Sequence, residues 1–117
     1  MAVTLYHYPG CSTCRRARKH LAAKGVEPKL VDLVATPPAK SRLRKLWKAS
    51  GQPLKKLFNT SGQSYRNGGF KDRLPDMTVE DQLEALAADG KLIKRPILDT
   101  GDAVLIGFRE ADYDAAL

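Results

Sequence analysis

Apolar positions along the chain fall into short blocks whose spacing changes from strand-like to helical and back. Val3-Thr-Leu-Tyr-His-Tyr8 is rich in β-branched and aromatic residues and predicts a strand, which Pro9-Gly10 breaks. From Ser12 the pattern turns helical: Cys14, Ala17 and Leu21 share one stripe, with Arg15, Arg18 and Lys19 outside it. Lys24-Gly25 supplies the cation and the glycine that end such a helix. Residues 29–34 predict a second strand, and together these pieces form a βαβ unit with parallel strands.

A helical stretch follows. Thr36-Pro37-Pro38 reads as its opening, with Thr36 as N-cap and Pro37 at the first helical position; Leu43, Leu46 and Trp47 then recur at helical spacing. Leu54, Leu57 and Phe58 mark a short turn-limited segment after Gln52-Pro53, Asn59–Ser64 a polar loop, and Asn67-Gly68-Gly69 a further break. Thr78 can cap a helix whose apolar face is Leu83, Leu86 and Ala87 and which ends at Asp89-Gly90. After Arg95-Pro96, a site suited to a cis bond, Ile97-Leu98 and Val104–Ile106 predict an antiparallel hairpin around Thr100-Gly101-Asp102. A last helix begins at Glu110.

The order is therefore β-α-β, helices, β-β, α. A C-x-x-C at the first strand–helix junction of such an α/β order reads as a thioredoxin-like redox site. At 117 residues the chain suits one domain (1–117), with residues 36–90 as a helical subdomain inserted into it. No apolar run approaches the ~20 residues of a membrane span. The start lacks the basic and apolar regions of a secretory signal, so a cytoplasmic protein is expected.

Charge sharpens this picture. The net charge is +7, but residues 1–60 carry 13 Lys/Arg against 2 acids, whereas residues 61–117 carry 7 against 11. The basic half holds both cysteines, which favours an anionic substrate or partner. The sequence shows no helix-turn-helix or base-stacking platform, so direct nucleic-acid binding is not expected.

Cys11 stands at the start of the first helix, where free N–H groups, including that of Ser12, and the helix dipole favour a thiolate. Cys14 lies one turn on, in the apolar stripe. Cys11 is thus the candidate attacking thiolate and Cys14 the candidate resolving thiol. Arg15 and Arg16 put cations at the wrong end of the helix dipole; they either serve a thiolate or anion, or point to solvent. His7 and His20 add two potential ligands, but His20 falls on another helical face and no second Cys or His pair closes a tetrahedral site, so no metal is expected. Arg95, held before Pro96, could direct its guanidinium at an anion bound near Cys11.

Three linked motifs add a resemblance. Y-x-Y-P-G-C-S-T-C-R-R-A, L-F-N-T-S-G-x-x-Y and D-G-K-L-I-K-R-P-I followed by V-x-I-G-F-R-E make the chain, from Val3 to about Tyr113, similar to the arsenate reductase-related (ArsC/Spx) family. The resemblance implies a thioredoxin fold with an inserted helical subdomain. It implies a cysteine nucleophile at Cys11, a substrate that is a small oxyanion or a disulfide, and recycling by glutathione and glutaredoxin, or by thioredoxin, with no bound cofactor. Of three arginines that surround the oxyanion in the reductase branch, one matches Arg95; the others fall at Asn59 and near Gly107-Phe108, and Arg15 or Arg109 could stand in. The Spx branch carries C-x-x-C and binds the C-terminal domain of the RNA polymerase α subunit. It supplies the alternative of a redox-switched regulator, with Lys40, Arg42, Arg44, Lys45 and Lys48 as part of a docking face.

Overall fold

The structure, a computed structural model, describes residues 2–117. Strand β1 (Thr4–His7) is followed by helix α1 (Ser12–Ala23) and strand β2 (Lys29–Asp32), which pairs with β1 in parallel. Strands β3 (Ile97–Asp99) and β4 (Val104–Ile106) form the expected hairpin, and β3 lies antiparallel to β1, giving the sheet order β2-β1-β3-β4. Helix α6 (Glu110–Ala116) closes the chain.

Between β2 and β3 the regular structure is helical: α2 (Lys40–Ser50), a 3-10 turn (Leu54–Leu57), α3 (Gln63–Asn67), α4 (Phe70–Arg73), a 3-10 turn (Leu74–Asp76), α5 (Val79–Ala88) and a last 3-10 turn (Gly90–Leu92).

The period-2 alternation of the inner strands sorts the core into two layers. Leu5 and Leu98 face Ala17 and Leu21 of α1 and Tyr113 of α6. Tyr6 and Ile97 point the other way, into a larger cluster with Leu33, Leu43, Leu46, Leu83 and Leu86. Each fully buried leucine contributes about 2 kcal/mol from the removal of its side chain from water. The sheet is thus held between α1/α6 and the helices that follow β2, and the β1–α1 junction is anchored from both sides.

Local chemistry explains the element ends. Past α1 the N–H of Val26 donates to Leu21 O at 2.9 Å and that of Gly25 to Ala22 O at 3.0 Å, a Schellman closure that needs Gly25 at φ +75°. At α5 the Asp81 N–H donates to Thr78 Oγ1 at 3.1 Å, so the expected cap forms.

Three expectations need correction. Strand β2 stops at Asp32 rather than residue 34, because Asp32 Oδ1 accepts the N–H groups of Val34 and Ala35 at 2.9 and 3.0 Å and turns the chain. Helix α2 begins at Lys40 with Ala39 as N-cap, not at Thr36-Pro37. Pro37 precedes another proline, whose ring excludes helical backbone from the residue before it. Finally, the polar segment Asn59–Ser64 is a loop only to Gly62, where α3 takes over.

Candidate functional site

Residues Tyr8–Cys14 link the end of the central strand to the first turn of α1. The Cys11 N–H donates to Tyr8 O at 3.0 Å and the Arg15 N–H to Cys11 O at 3.1 Å, which makes Cys11 the N-cap. Its Sγ accepts the Cys14 N–H at 3.3 Å. Among the described residues the N–H groups of Ser12 and Thr13 find no acceptor, so two first-turn donors stay free beside the sulfur. Cys11 is partly exposed, Cys14 is fully buried, and both are free thiols.

Their environments push the two sulfurs in opposite directions. Burial alone would raise the Cys11 pKa, but hydrogen bonds from the Cys14 thiol and N–H, and the guanidinium of Arg95, hold it below the ordinary thiol value. Burial, together with the hydrogen bond to Cys11, pushes the Cys14 thiol up to about 12, against the lowering effect of the backbone at Tyr8. At neutral pH the pair is therefore an ionisable outer sulfur and a protonated inner one, an arrangement that suits attack by the first and resolution by the second.

Arg95 is brought to Cys11 by the turn into β3. The Arg95-Pro96 peptide is cis, and the Gly107 N–H donates to Pro96 O at 2.8 Å, tying that turn to the end of β4. The guanidinium lies over the Tyr8 ring, 4.8 Å from its centroid, and its Nη1 is buried with no protein partner among the described residues. Arg15 is not brought into this group. Its Nη1 donates to Pro9 O at 3.1 Å, and its side chain lines a separate groove with Arg18, Lys19 and Leu30. Ser12 is exposed and can offer its free N–H to a bound anion.

Arg95 also walls an open cleft of about 670 Å³ shared by Thr13, Lys55, Lys56, Lys94, Phe108, Arg109 and Asp112. Asn59 is not among its lining residues; its N–H and C=O are occupied by Leu92 O and the Gly62 N–H, at 2.7 and 3.0 Å. His20 serves structure: it meets Asp114 Oδ1 at 2.8 Å, beside the Lys24–Asp114 ion pair, and so joins α1 to α6. His7 ends β1 with its Nδ1 buried and unpartnered. Burial, then the charge of Arg18, lowers its pKa, with Asp32 opposing. Among the described residues no three His, Cys, Asp or Glu side chains gather where they could hold a metal. Of the basic face expected on α2, Lys40 and Arg44 are drawn to Glu80, at 2.9 and 2.6 Å.

Three participants had no clear sequence signal. Tyr8 was legible only as the last strand residue, yet it stacks beneath Arg95. Tyr113 is fully buried, packed with Ala17 and Leu21 of α1, with an unpartnered hydroxyl, and its pKa is raised by burial and then by the charge of Cys14. Lys94 enters the cleft from the residue before Arg95.

Comparison with known proteins places the chain in a family. The sequence model of the ArsC family matches residues 6–116. The chain belongs to the ArsC family. Among its relatives, the uncharacterized protein YusI of Bacillus subtilis (strain 168) is 45% identical over 114 residues, 97% of each chain. An arsenate reductase of Rhizobium meliloti (strain 1021) is 30% identical over 84% of this chain and 69% of its own. The regulatory protein MgsR of Bacillus subtilis (strain 168) is 27% identical over 94% of this chain and 86% of its own. The fold superposes on the crystal structure of an ArsC family related protein from Bacteroides fragilis with a TM-score of 0.95 and 38% identity, covering 100% and 98% of the two chains. The architecture is thus the thioredoxin-like fold of the ArsC family. No helix among the described residues is long and apolar enough to cross a membrane.

Proposed function

We propose that this protein is a cytoplasmic thiol-dependent reductase in which Cys11 is the nucleophile and Cys14 the resolving thiol. The observation that carries this reading is the opposed tuning of the two sulfurs: one partly exposed and lowered, the other buried and raised to about 12. The Cys11 thiolate attacks a disulfide sulfur, expelling the other sulfur as thiolate, or the centre of an oxyanion such as arsenate, one of whose oxygens takes up protons and leaves as water. The substrate is held by the Arg95 guanidinium and the free N–H groups of Ser12 and Thr13. Cys14 then loses its proton and attacks the Cys11 sulfur. A Cys11–Cys14 disulfide forms, the reduced product leaves, and two electrons have passed to the substrate. Glutathione with glutaredoxin, or thioredoxin, returns the pair to dithiol. Similarity to an arsenate reductase at 30% identity supports the reaction class. The test is turnover of arsenate and of a model disulfide, coupled to each reductant, by wild type, Cys11→Ser and Cys14→Ser. Cys11→Ser is expected to be inactive on both; full activity in that variant sinks the proposal.

Similarity to the regulatory protein MgsR, at 27% identity over 94% of the chain, supports a second reading. Here the same disulfide switches a docking surface for the C-terminal domain of the RNA polymerase α subunit. Pull-down of that purified domain by reduced and by oxidised protein decides it: capture by one redox state alone favours the switch, and capture by neither removes it.

A further inference from the structure

Around Arg95, the cleft beside the thiol pair gathers four further cations that the dithiol chemistry does not use. Five cations line it: Lys55 and Lys56 from the 3-10 turn after α2, Lys94 and Arg95 from the approach to β3, and Arg109 from the N-cap of α6. The single carboxylate in the lining is Asp112. Among the described residues none of the five forms an ion pair, not even with Asp112. Three separate segments thus converge like charges on one concavity, at an electrostatic cost that a bound anion would offset. At about 670 Å³ the cleft lies within the range of small-molecule sites and is far roomier than one tetrahedral oxyanion requires. Its charges are also spread over several side chains rather than focused on one point. Thr13, in the first turn of α1 beside Cys11, and Arg95 share its lining, which brings the cleft to the thiol end of the helix.

We propose that this cleft binds a small organic polyanion, a molecule bearing two or more carboxylate or phosphate groups, and that it seats the acidic body of the substrate. The substrate role rests on the reductase reading; the binding does not. In that role the substrate is a disulfide. The Cys11 thiolate bonds to its nearer sulfur as the S–S bond breaks and one thiolate departs. Cys14, giving up its proton, then displaces the second thiolate, and the dithiol has supplied both electrons. A cellular thiol reductant restores it.

The experiment is calorimetric titration of Cys11→Ser protein, which can bind without reacting, with citrate, with pyrophosphate and with acetate. Citrate or pyrophosphate is expected to bind and acetate not to, and the tighter of the two tells carboxylate from phosphate recognition. Adding Lys55→Glu with Lys56→Glu is expected to weaken binding by about tenfold or more. Adding Arg18→Glu with Lys19→Glu, the same change in net charge on the separate groove that Arg15 and Leu30 line, leaves it as it was. Equal weakening by both pairs, or no binding of either polyanion, overturns the proposal. Circular dichroism checks that each variant folds. A turnover arm then compares dithiodiglycolate with uncharged bis(hydroxyethyl) disulfide in the Cys11 protein. The ratio of kcat/KM is expected to favour the dianion and to collapse in the Lys55/Lys56 variant. Binding without turnover of any disulfide leaves the site standing and refutes the reductase reading. Turnover with no preference for the dianion refutes the substrate role of the cleft.

Discussion

Gly90 packs tightly on the turn that follows β2, and Gly90→Ala is the sharpest test of that packing. Gly90 is buried in the 3-10 turn before β3. A Cβ there would meet Leu33 O at 1.8 Å, Leu33 C at 2.6 Å and Val34 Cα at 2.8 Å, all backbone atoms. No rotamer change can relieve such a clash, so one segment has to move by more than an ångström. The Leu33 N–H donates to His7 O at 2.8 Å, so the shift would reach the strand end that carries the thiol loop. Overpacking a closed interior costs about 1–3 kcal/mol, and with backbone on both sides the upper end applies, about 3 kcal/mol. That is a large part of the ~5–15 kcal/mol that holds a domain folded. For a chain of this length it lowers Tm by about 12 °C. Gly25→Ala is the matched control: its φ is +75° with no atom within 4 Å of a Cβ, so it suffers only backbone strain, about 1 kcal/mol. Urea titrations followed by circular dichroism give both values. A Gly90→Ala cost no greater than that of Gly25→Ala would refute the close approach.

Mass-mapped iodoacetamide labelling against pH is expected to modify Cys11 with a midpoint below the ordinary thiol value and to leave Cys14 unmodified in the folded protein. Arg95→Ala should move the Cys11 midpoint upward, and an unchanged midpoint removes Arg95 from the thiolate's environment. His7 is lowered first by burial. Below its unfolded value of 6.5 the unfolded chain therefore binds a proton that the native state resists, and stability falls as pH drops through and below that value. Urea midpoints between pH 7 and 5 should fall more steeply for wild type than for His7→Gln; equal slopes contradict the assignment. Tyr113→Phe keeps the ring contacts of a fully buried side chain and deletes a hydroxyl without a partner, so it should stabilise the fold by about 1 kcal/mol, and a loss of stability would reveal a hydrogen bond at that oxygen.

What sequence reasoning reached was set by local chemistry. β1, α1 and the Thr78 cap were legible because strand propensity, the Cys14–Ala17–Leu21 stripe and a threonine before two acids are all short-range signals. The start of α2 misled because Pro37 favours a first helical position only when no second proline follows it. The brief helices α3 and α4 carry too few apolar positions to show a period. At the site, the roles of Cys11 and Cys14 could be argued from spacing, whereas Tyr8 and Tyr113 acquire theirs by long-range packing. The cleft was hidden for a further reason. Counting charge by halves assigns the acidic half a net negative value, yet that half supplies Lys94, Arg95 and Arg109 to the lining.

The division of labour between the two sulfurs is tested most directly by trapping. Reduced wild type, Cys11→Ser and Cys14→Ser are mixed with a model disulfide, quenched with acid and weighed intact. The account predicts a stable mixed disulfide on Cys11 in Cys14→Ser, an internal disulfide two hydrogens lighter in wild type, and no adduct in Cys11→Ser. An adduct that forms on Cys14 in Cys11→Ser as fast as on Cys11 in Cys14→Ser would contradict it.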